Sequence, residues 1–181
     1  NAQTTKIEEE TFGGSSYKYT YDLNGTITSV LLKKSTESAY IKQQQFAYDE
    51  LNQLVRADDL AKNCTEVYTY DNGGNILSTK AYPLTWGSLS GVTATDTTTY
   101  TYGDSNWKDK LTAYGDTPIT YDAIGNPLTY RGYTLTWQNG RQLASLSGNG
   151  TTASYTYDVD GLRTSKTVNG VKHEYYYVGS R

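Results

Sequence analysis

The sequence predicts an all-β fold built from antiparallel β-hairpins in tandem. Three observations carry that prediction. Tyr occurs 19 times against 2 Phe and 3 Trp, and Thr comes in runs such as Thr97-Thr98-Thr99 and Thr151-Thr152; both residue types favour a pleated, half-buried surface. A unit of two aromatics one residue apart, followed by Asp and then Gly or Asn, recurs along the chain. No stretch carries a convincing helical period. Glu50 to Lys62 has the Leu, Ala and Glu of a helix, but Tyr48-Asp49 and Leu54-Val55 fit the hairpin frame on either side of its start.

The copies follow in order. Tyr19-Thr20-Tyr21-Asp22 leads into Gly25, Phe46-Ala47-Tyr48-Asp49 into Asn52, and Tyr68-Thr69-Tyr70-Asp71 into Gly74. Tyr100-Thr101-Tyr102-Gly103 keeps the strand and alters the turn. Ile119-Thr120-Tyr121-Asp122 leads to Gly125, and Leu135-Thr136-Trp137 puts Trp in the second aromatic slot ahead of Gly140. Tyr155-Thr156-Tyr157-Asp158 ends at Gly161, and Tyr175-Tyr176-Tyr177 opens one more copy. The second aromatic recurs at intervals from 16 residues (Tyr121 to Trp137) to 32 (Tyr70 to Tyr102). Hairpins joined by loops of variable length tolerate such elasticity better than a solenoid of fixed rise.

Each unit has a direct physical reading. In Tyr-Thr-Tyr-Asp both rings face one side of a strand. Asp, Asn and Gly then supply the positive φ and the local side-chain bonds of a tight reversal. A second strand of period two returns, as in Ile27-Thr28-Ser29-Val30. Rings of neighbouring hairpins are expected to form ladders, each pair contributing on the order of 0.2–1 kcal/mol. Residues 1–16 read as a leader, in part tag-derived, and 17–181 as an array of about eight copies with the last cut short. A loop is inserted near 83–96, with Trp86 as its expected anchor.

Composition excludes several classes of function. Lys plus Arg number 16 against 19 Asp plus Glu, and no basic tract exceeds Lys33-Lys34. A nucleic-acid partner is therefore not expected. No apolar run approaches the roughly 18 residues of a membrane span. The single Cys64 rules out an internal disulfide framework. Met is absent, so Asn1 is not a native start, and the chain reads as a piece of a longer one.

The Tyr-x-Tyr-Asp-x-x-Gly units resemble YD repeats, also called RHS repeats, from about Tyr17 onward. The resemblance is strongest from Ile119 to Lys166. It implies a long sheet that curves and spirals into a hollow shell. In polymorphic Rhs toxins, insecticidal toxin complexes and teneurins, such a shell encloses cargo or forms a barrel at the cell surface, and wall-associated bacterial members are secreted. Toxic activity, where present, sits in a separate C-terminal domain. The Asp-Pro-x-Gly motif of self-cleaving members has no match before Arg181, so no catalytic residue is carried over and the segment is not expected to be an enzyme.

No other chemistry in the sequence rivals this reading. His173 stands at the start of a strand with Glu174 on the opposite face, which is no acid–base couple. Cys64 lacks a nearby His, so it makes no nucleophile. Asp22, Asp49, Asp71, Asp122 and Asp158 share one slot, and a turn's own backbone explains an Asp there. Asp158-Val159-Asp160-Gly161 looks like a fragment of a calcium loop but lacks the closing Glu; no metal or cofactor is expected. The alternative function is a cell-wall polysaccharide module stacking sugars on Trp86 and Trp137. The expected partners are the rest of the polypeptide, with further repeats and an effector domain, and other copies of the chain through open sheet edges.

Overall fold

The computed structural model describes residues 6–179, so the first residues of the 1–16 leader and the last two of the array lie outside it. The chain divides into two compact units, Asn1–Thr98 and Thr99–Arg181. Among the described residues every regular element is a strand.

In the first unit seven strands follow one another, each antiparallel to the next: β1 (Glu9–Phe12), β2 (Ser15–Tyr21), β3 (Ile27–Lys34), β4 (Ile41–Tyr48), β5 (Leu54–Asp59), β6 (Cys64–Tyr70) and β7 (Ile76–Pro83). Part of the expected leader is thus in the sheet, as β1. The Glu50–Lys62 region holds a turn and β5, and no helix. Residues 84–95 form the inserted loop ahead of β8 (Asp96–Thr101).

In the second unit the end of β8 pairs with β9 (Ala113–Tyr114), and β9 with β10 (Thr117–Pro118). A six-stranded antiparallel sheet follows in chain order: β11 (Thr129–Tyr130), β12 (Tyr133–Gln138), β13 (Gln142–Gly148), β14 (Thr151–Tyr157), β15 (Arg163–Val168) and β16 (Val171–Glu174).

Two kinds of reversal recur in these sheets. The Asp turns are described below. The second kind is a two-residue connection with both residues at positive φ, as at Asn149-Gly150 (48° and 72°) and Asn169-Gly170 (47° and 84°). Its twist matches that of the flanking strands, and Asn and Gly are the residues that enter this region most readily.

The only buried apolar side chains among the described residues are Ile119 and Ala153. The aromatic face of each sheet is half-buried instead. Without a thick apolar core, the sheets depend on hydrogen bonds between and within hairpins.

Candidate functional site

The repeat junction is where the recurring residues meet, and Asp organises it. The Asp158 N–H donates to the carbonyl of Leu162 (2.9 Å), and the Gly161 N–H donates back to the carbonyl of Asp158 (3.1 Å). Its carboxylate Oδ1 then accepts the N–H groups of Asp160 (3.0 Å) and Leu162 (2.8 Å). The same two backbone bonds recur at Asp22, Asp49, Asp71 and Asp122, and in each the carboxylate takes the N–H four residues on. At Asp71 and Asp122 the Asn four residues later also donates its side-chain N–H to Oδ2.

At Asp71 and Asp122 these donors lower the carboxyl pKa. The Asn75 side chain, then its backbone N–H, holds Asp71 below the usual aspartate value. At Asp122 burial pushes upward, but the Asn126 and Ile124 donors outweigh it and the net shift is downward. A carboxylate filled by N–H donors is a turn cap, and that includes the calcium-like Asp158.

The third position after Asp requires the left-handed region: φ is 90° at Gly25, 86° at Gly74 and Gly125, 83° at Gly161, and 60° at Asn52. Asn52 is tolerated because Asn enters αL at low cost. Its side-chain carbonyl also accepts the Asn24 amide at 2.8 Å, tying one turn tip to the next.

Four of the five Asp turns, and the turn after Trp137, are preceded by a β-bulge. The register shifts between Thr20 and Tyr21, Ala47 and Tyr48, Thr69 and Tyr70, Thr136 and Trp137, and Thr156 and Tyr157. A bulge re-aims the side chain beside it, and here that side chain is the second aromatic. The Tyr48 hydroxyl donates to the carbonyl of Ile27 at 3.0 Å, and Ile27 is the residue opposite Tyr21 in the preceding hairpin.

The rule repeats down the array. Tyr70 donates to Leu54, opposite Tyr48 (2.7 Å); Tyr157 to Leu143, opposite Trp137 (3.0 Å); and Tyr177 to Arg163, opposite Tyr157 (2.8 Å). Trp137 obeys it with its indole N–H on the carbonyl of Pro127, opposite Tyr121 (2.7 Å). Tyr21 and Tyr121 reach the carbonyls of Ile7 and Leu111, both at 2.6 Å. The expected ring ladders are therefore hydrogen-bond rungs. Ring-on-ring contacts occur between Tyr100 and Tyr114 (5.3 Å) and between Tyr114 and Tyr130 (6.0 Å).

The opposite face carries a second repeat. Thr between the two aromatics pairs its hydroxyl with a Ser across the bulge: Thr20–Ser29 (2.7 Å), Thr69–Ser78 (2.7 Å), Thr136–Ser145 (2.6 Å) and Thr156–Ser165 (2.7 Å). Ala47 and Arg56 occupy the corresponding places in the second copy.

Two predictions follow from the rungs. Tyr157→Phe removes a donor to a backbone carbonyl and should cost about 1 kcal/mol. Tyr155→Phe, one slot earlier, keeps the ring beneath Arg163 (4.9 Å) and should be near neutral; urea midpoints of the two variants check the difference. The second concerns alkali. Burial raises the phenols of Tyr48, Tyr70 and Tyr121, and burial followed by Glu66 pushes Tyr68 up to about 12. A raised folded value adds stability that is fully present below the unfolded value and is lost as pH rises through the folded one. The melting temperature should hold up to about pH 10 and fall beyond it. Circular-dichroism melts across that range test this, and a fall already complete by about pH 9 would contradict it.

The altered copy compensates for its missing Asp. The Gly103 N–H donates to the Thr112 hydroxyl (2.8 Å), and Asp104 Oδ1 accepts the N–H groups of Asn106 and Trp107. Lys110 pairs with Asp104 and lies over the rings of Trp107 (5.9 Å) and Tyr121 (5.3 Å). Lys110, then those two N–H groups, hold Asp104 at about 2.

The aromatics nominated for sugar stacking are half-buried. Trp137 is a rung, and Trp86 has the Lys42 ammonium 5.2 Å from its ring centre. Trp107, which sequence reasoning passed over, is the exposed one at 51%. Burial, then Glu66, raises the Cys64 thiol above its ordinary value, which disfavours the nucleophilic thiolate. His173 lies in the exposed β16. No helix of the structure is long and apolar enough to cross a membrane.

No family model matches the chain. Among curated proteins it is 33% identical over 135 residues to the tRNA nuclease WapA of Bacillus subtilis (strain 168), and 33% identical over 136 residues to the tRNA3(Ser)-specific nuclease WapA of Bacillus spizizenii. Each match covers 73% of this chain, yet the chain spans only 5% of either relative's length. Among solved structures, the crystal structure of TcdB2-TccC3 superposes with a TM-score of 0.54 over 85% of this chain and 9% of the other, at 16% identity. The complex titled TcdB2-TccC3-Cdc42 gives the same values. The repeats are of the YD/RHS type. In YD/RHS terms, the Tyr of the motif is the rung to the preceding hairpin and the Asp is the cap of its own turn. This chain resembles a repeat segment of its much longer relatives.

Proposed function

We propose that this chain is a structural wall segment of a large secreted or surface YD/RHS protein, which encloses cargo or presents an extended surface and is not itself an enzyme. The observation that carries this reading is the rung rule: Tyr48, Tyr70, Trp137, Tyr157 and Tyr177 each donate to the carbonyl facing the aromatic of the preceding copy, which fastens each of these hairpins to its predecessor. The residues that sequence reasoning singled out, Tyr, Asp and Gly, are consumed by that fastening. Its partners are then the neighbouring repeats and a C-terminal effector on the same polypeptide.

The test uses the full-length parent protein. Replacing the rung aromatics with Phe or Leu should leave the effector's activity intact when the effector is expressed alone, while exposing it to added protease in the parent. An effector equally protected in both parents would refute enclosure. The polysaccharide reading is favoured only by the exposed Trp107. Titrating purified cell-wall glycan against tryptophan fluorescence separates the two, since a saturable response lost in Trp107→Ala would favour the binding module.

Among the described residues the outermost strands are β1 and β16, and every residue of Glu9–Phe12 and Val171–Glu174 is exposed. Unpaired edges template association. Sedimentation of the isolated segment should therefore show self-association that grows with concentration, and a single monomer boundary at high concentration would count against it.

A further inference from the structure

The most deeply buried side chains among the described residues are polar. Asp58 is 1% exposed and Thr65 is 0% exposed, in a chain with almost no buried apolar core. They face each other across β5 and β6, on the face that carries the Thr–Ser hydroxyl pairs. In this copy Ala47 and Arg56 replace that pair, and Arg56 reaches outward instead.

Arg56 holds the inserted loop from beneath. Its Nε donates to Asp58 Oδ1 (2.8 Å), its Nη1 to the carbonyl of Gly87 (2.8 Å), and its Nη2 to the carbonyl of Thr85. The Thr65 hydroxyl donates to the same Asp58 oxygen at 2.7 Å and accepts the Thr85 N–H at 3.0 Å. Lys42 lies over Trp86, and the Thr95 N–H donates to the carbonyl of Ala81 (2.7 Å) at the loop's far end. Nothing in the loop itself forms a strand.

We propose that residues 84–95 are a strap, locked onto the hydroxyl face of the first unit by Arg56, Asp58 and Thr65, that docks and releases as one element while the sheet beneath stays folded. The copy that lost its Thr–Ser pair is the copy on which the strap sits. The lock is only half-compensated: Asp58 Oδ2 is buried and finds no donor in the protein. Docking thus strips a carboxylate oxygen of water without replacing its hydrogen bond, which offsets much of what the Arg56 bonds contribute. Release rehydrates Asp58 and Arg56 and breaks no ladder bond of β5 or β6. A strong set of bonds opposed by a strong desolvation cost makes a two-state element rather than a rigid one.

The test is native-state hydrogen exchange and limited chymotrypsin digestion of the segment. The Thr85 amide should exchange through an opening insensitive to low urea, while ladder amides of β6 exchange only with global unfolding. Restoring the hydroxyl pair with Ala47→Thr and Arg56→Ser should keep the sheet's urea midpoint within error. Cleavage after Trp86 and Leu89 should then run about a hundredfold faster. Thr65→Val, which removes the acceptor of the Thr85 N–H and leaves the sheet register untouched, should act in the same direction. Equal opening free energies for Thr85 and the β6 ladder, or unchanged cleavage in both variants, would overturn the proposal. Cleavage that rises only in step with a falling urea midpoint would overturn it too.

Discussion

Gly148→Ala should destabilise the second unit by about 3 kcal/mol, the largest effect expected of any single-methyl addition in this chain. Two independent causes act at this position. Its φ of 149° lies in the region that only glycine enters freely. A Cβ built there would also stand 2.1 Å from the carbonyl oxygen of Gly132, 2.9 Å from the Tyr133 Cα and 3.0 Å from the Gly132 carbonyl carbon. All three are backbone atoms where β12 begins, so no rotamer change relieves the clash. β12 must move away from β13, straining the pairs Thr134–Ser147 and Leu135–Leu146.

Gly170 supplies the control. It sits at φ 84°, but a Cβ there meets nothing within 4 Å, so Gly170→Ala should cost only the backbone term of about 1 kcal/mol. Urea unfolding followed by circular dichroism, at unchanged slope, reads both. Equal midpoints for the two variants would mean that the close approach at Gly132 does not constrain the fold.

Much of this architecture was legible in the sequence, because it is local. Tyr-x-Tyr followed by Asp and Gly is one strand and one turn, and the side-chain period and turn chemistry act within a few residues. The Asp slot read as a turn residue because its donors lie two to four positions away. The rungs were less visible, since a rung spans 10 to 21 residues, as in Trp137 to Pro127 and Tyr48 to Ile27. Yet a signal was present. Phe46 stands in the first aromatic slot, no Phe stands in the second, and the one substitute there is Trp137, the other aromatic with a strong N–H or O–H donor. Ring stacking was the wrong expectation because it ignored what the hydroxyl does.

The strap was the least legible element. Arg56 meets Thr85 and Gly87 from 29 and 31 residues away, and only the loss of the Thr–Ser pair at Ala47 marks the place. Trp107 and Gly148 escaped for the same reason: what matters at each is a neighbour brought close by the fold, Gly125 in one case and Gly132 in the other.

Asp158→Ala should cost about 2 kcal/mol, the second-largest loss expected, although the side chain is small and touches no core. Its Oδ1 takes two N–H groups that point into the turn, those of Asp160 and Leu162. The turn cannot turn these donors outward without losing the bond from the Asp158 N–H to the Leu162 carbonyl. That bond sits beside the bulge that aims Tyr157 at Leu143. A lost cap therefore loosens a rung as well as a turn, and the two substitutions should not be additive. If they share one mechanism, Asp158→Ala combined with Tyr157→Phe should cost less than the sum of the single variants. The difference, of about 0.5 kcal/mol or more in a double-mutant cycle of urea midpoints, measures the coupling between Asp and Tyr. Strict additivity would show that cap and rung act separately, and that their adjacency in the Tyr-Asp copies has another cause.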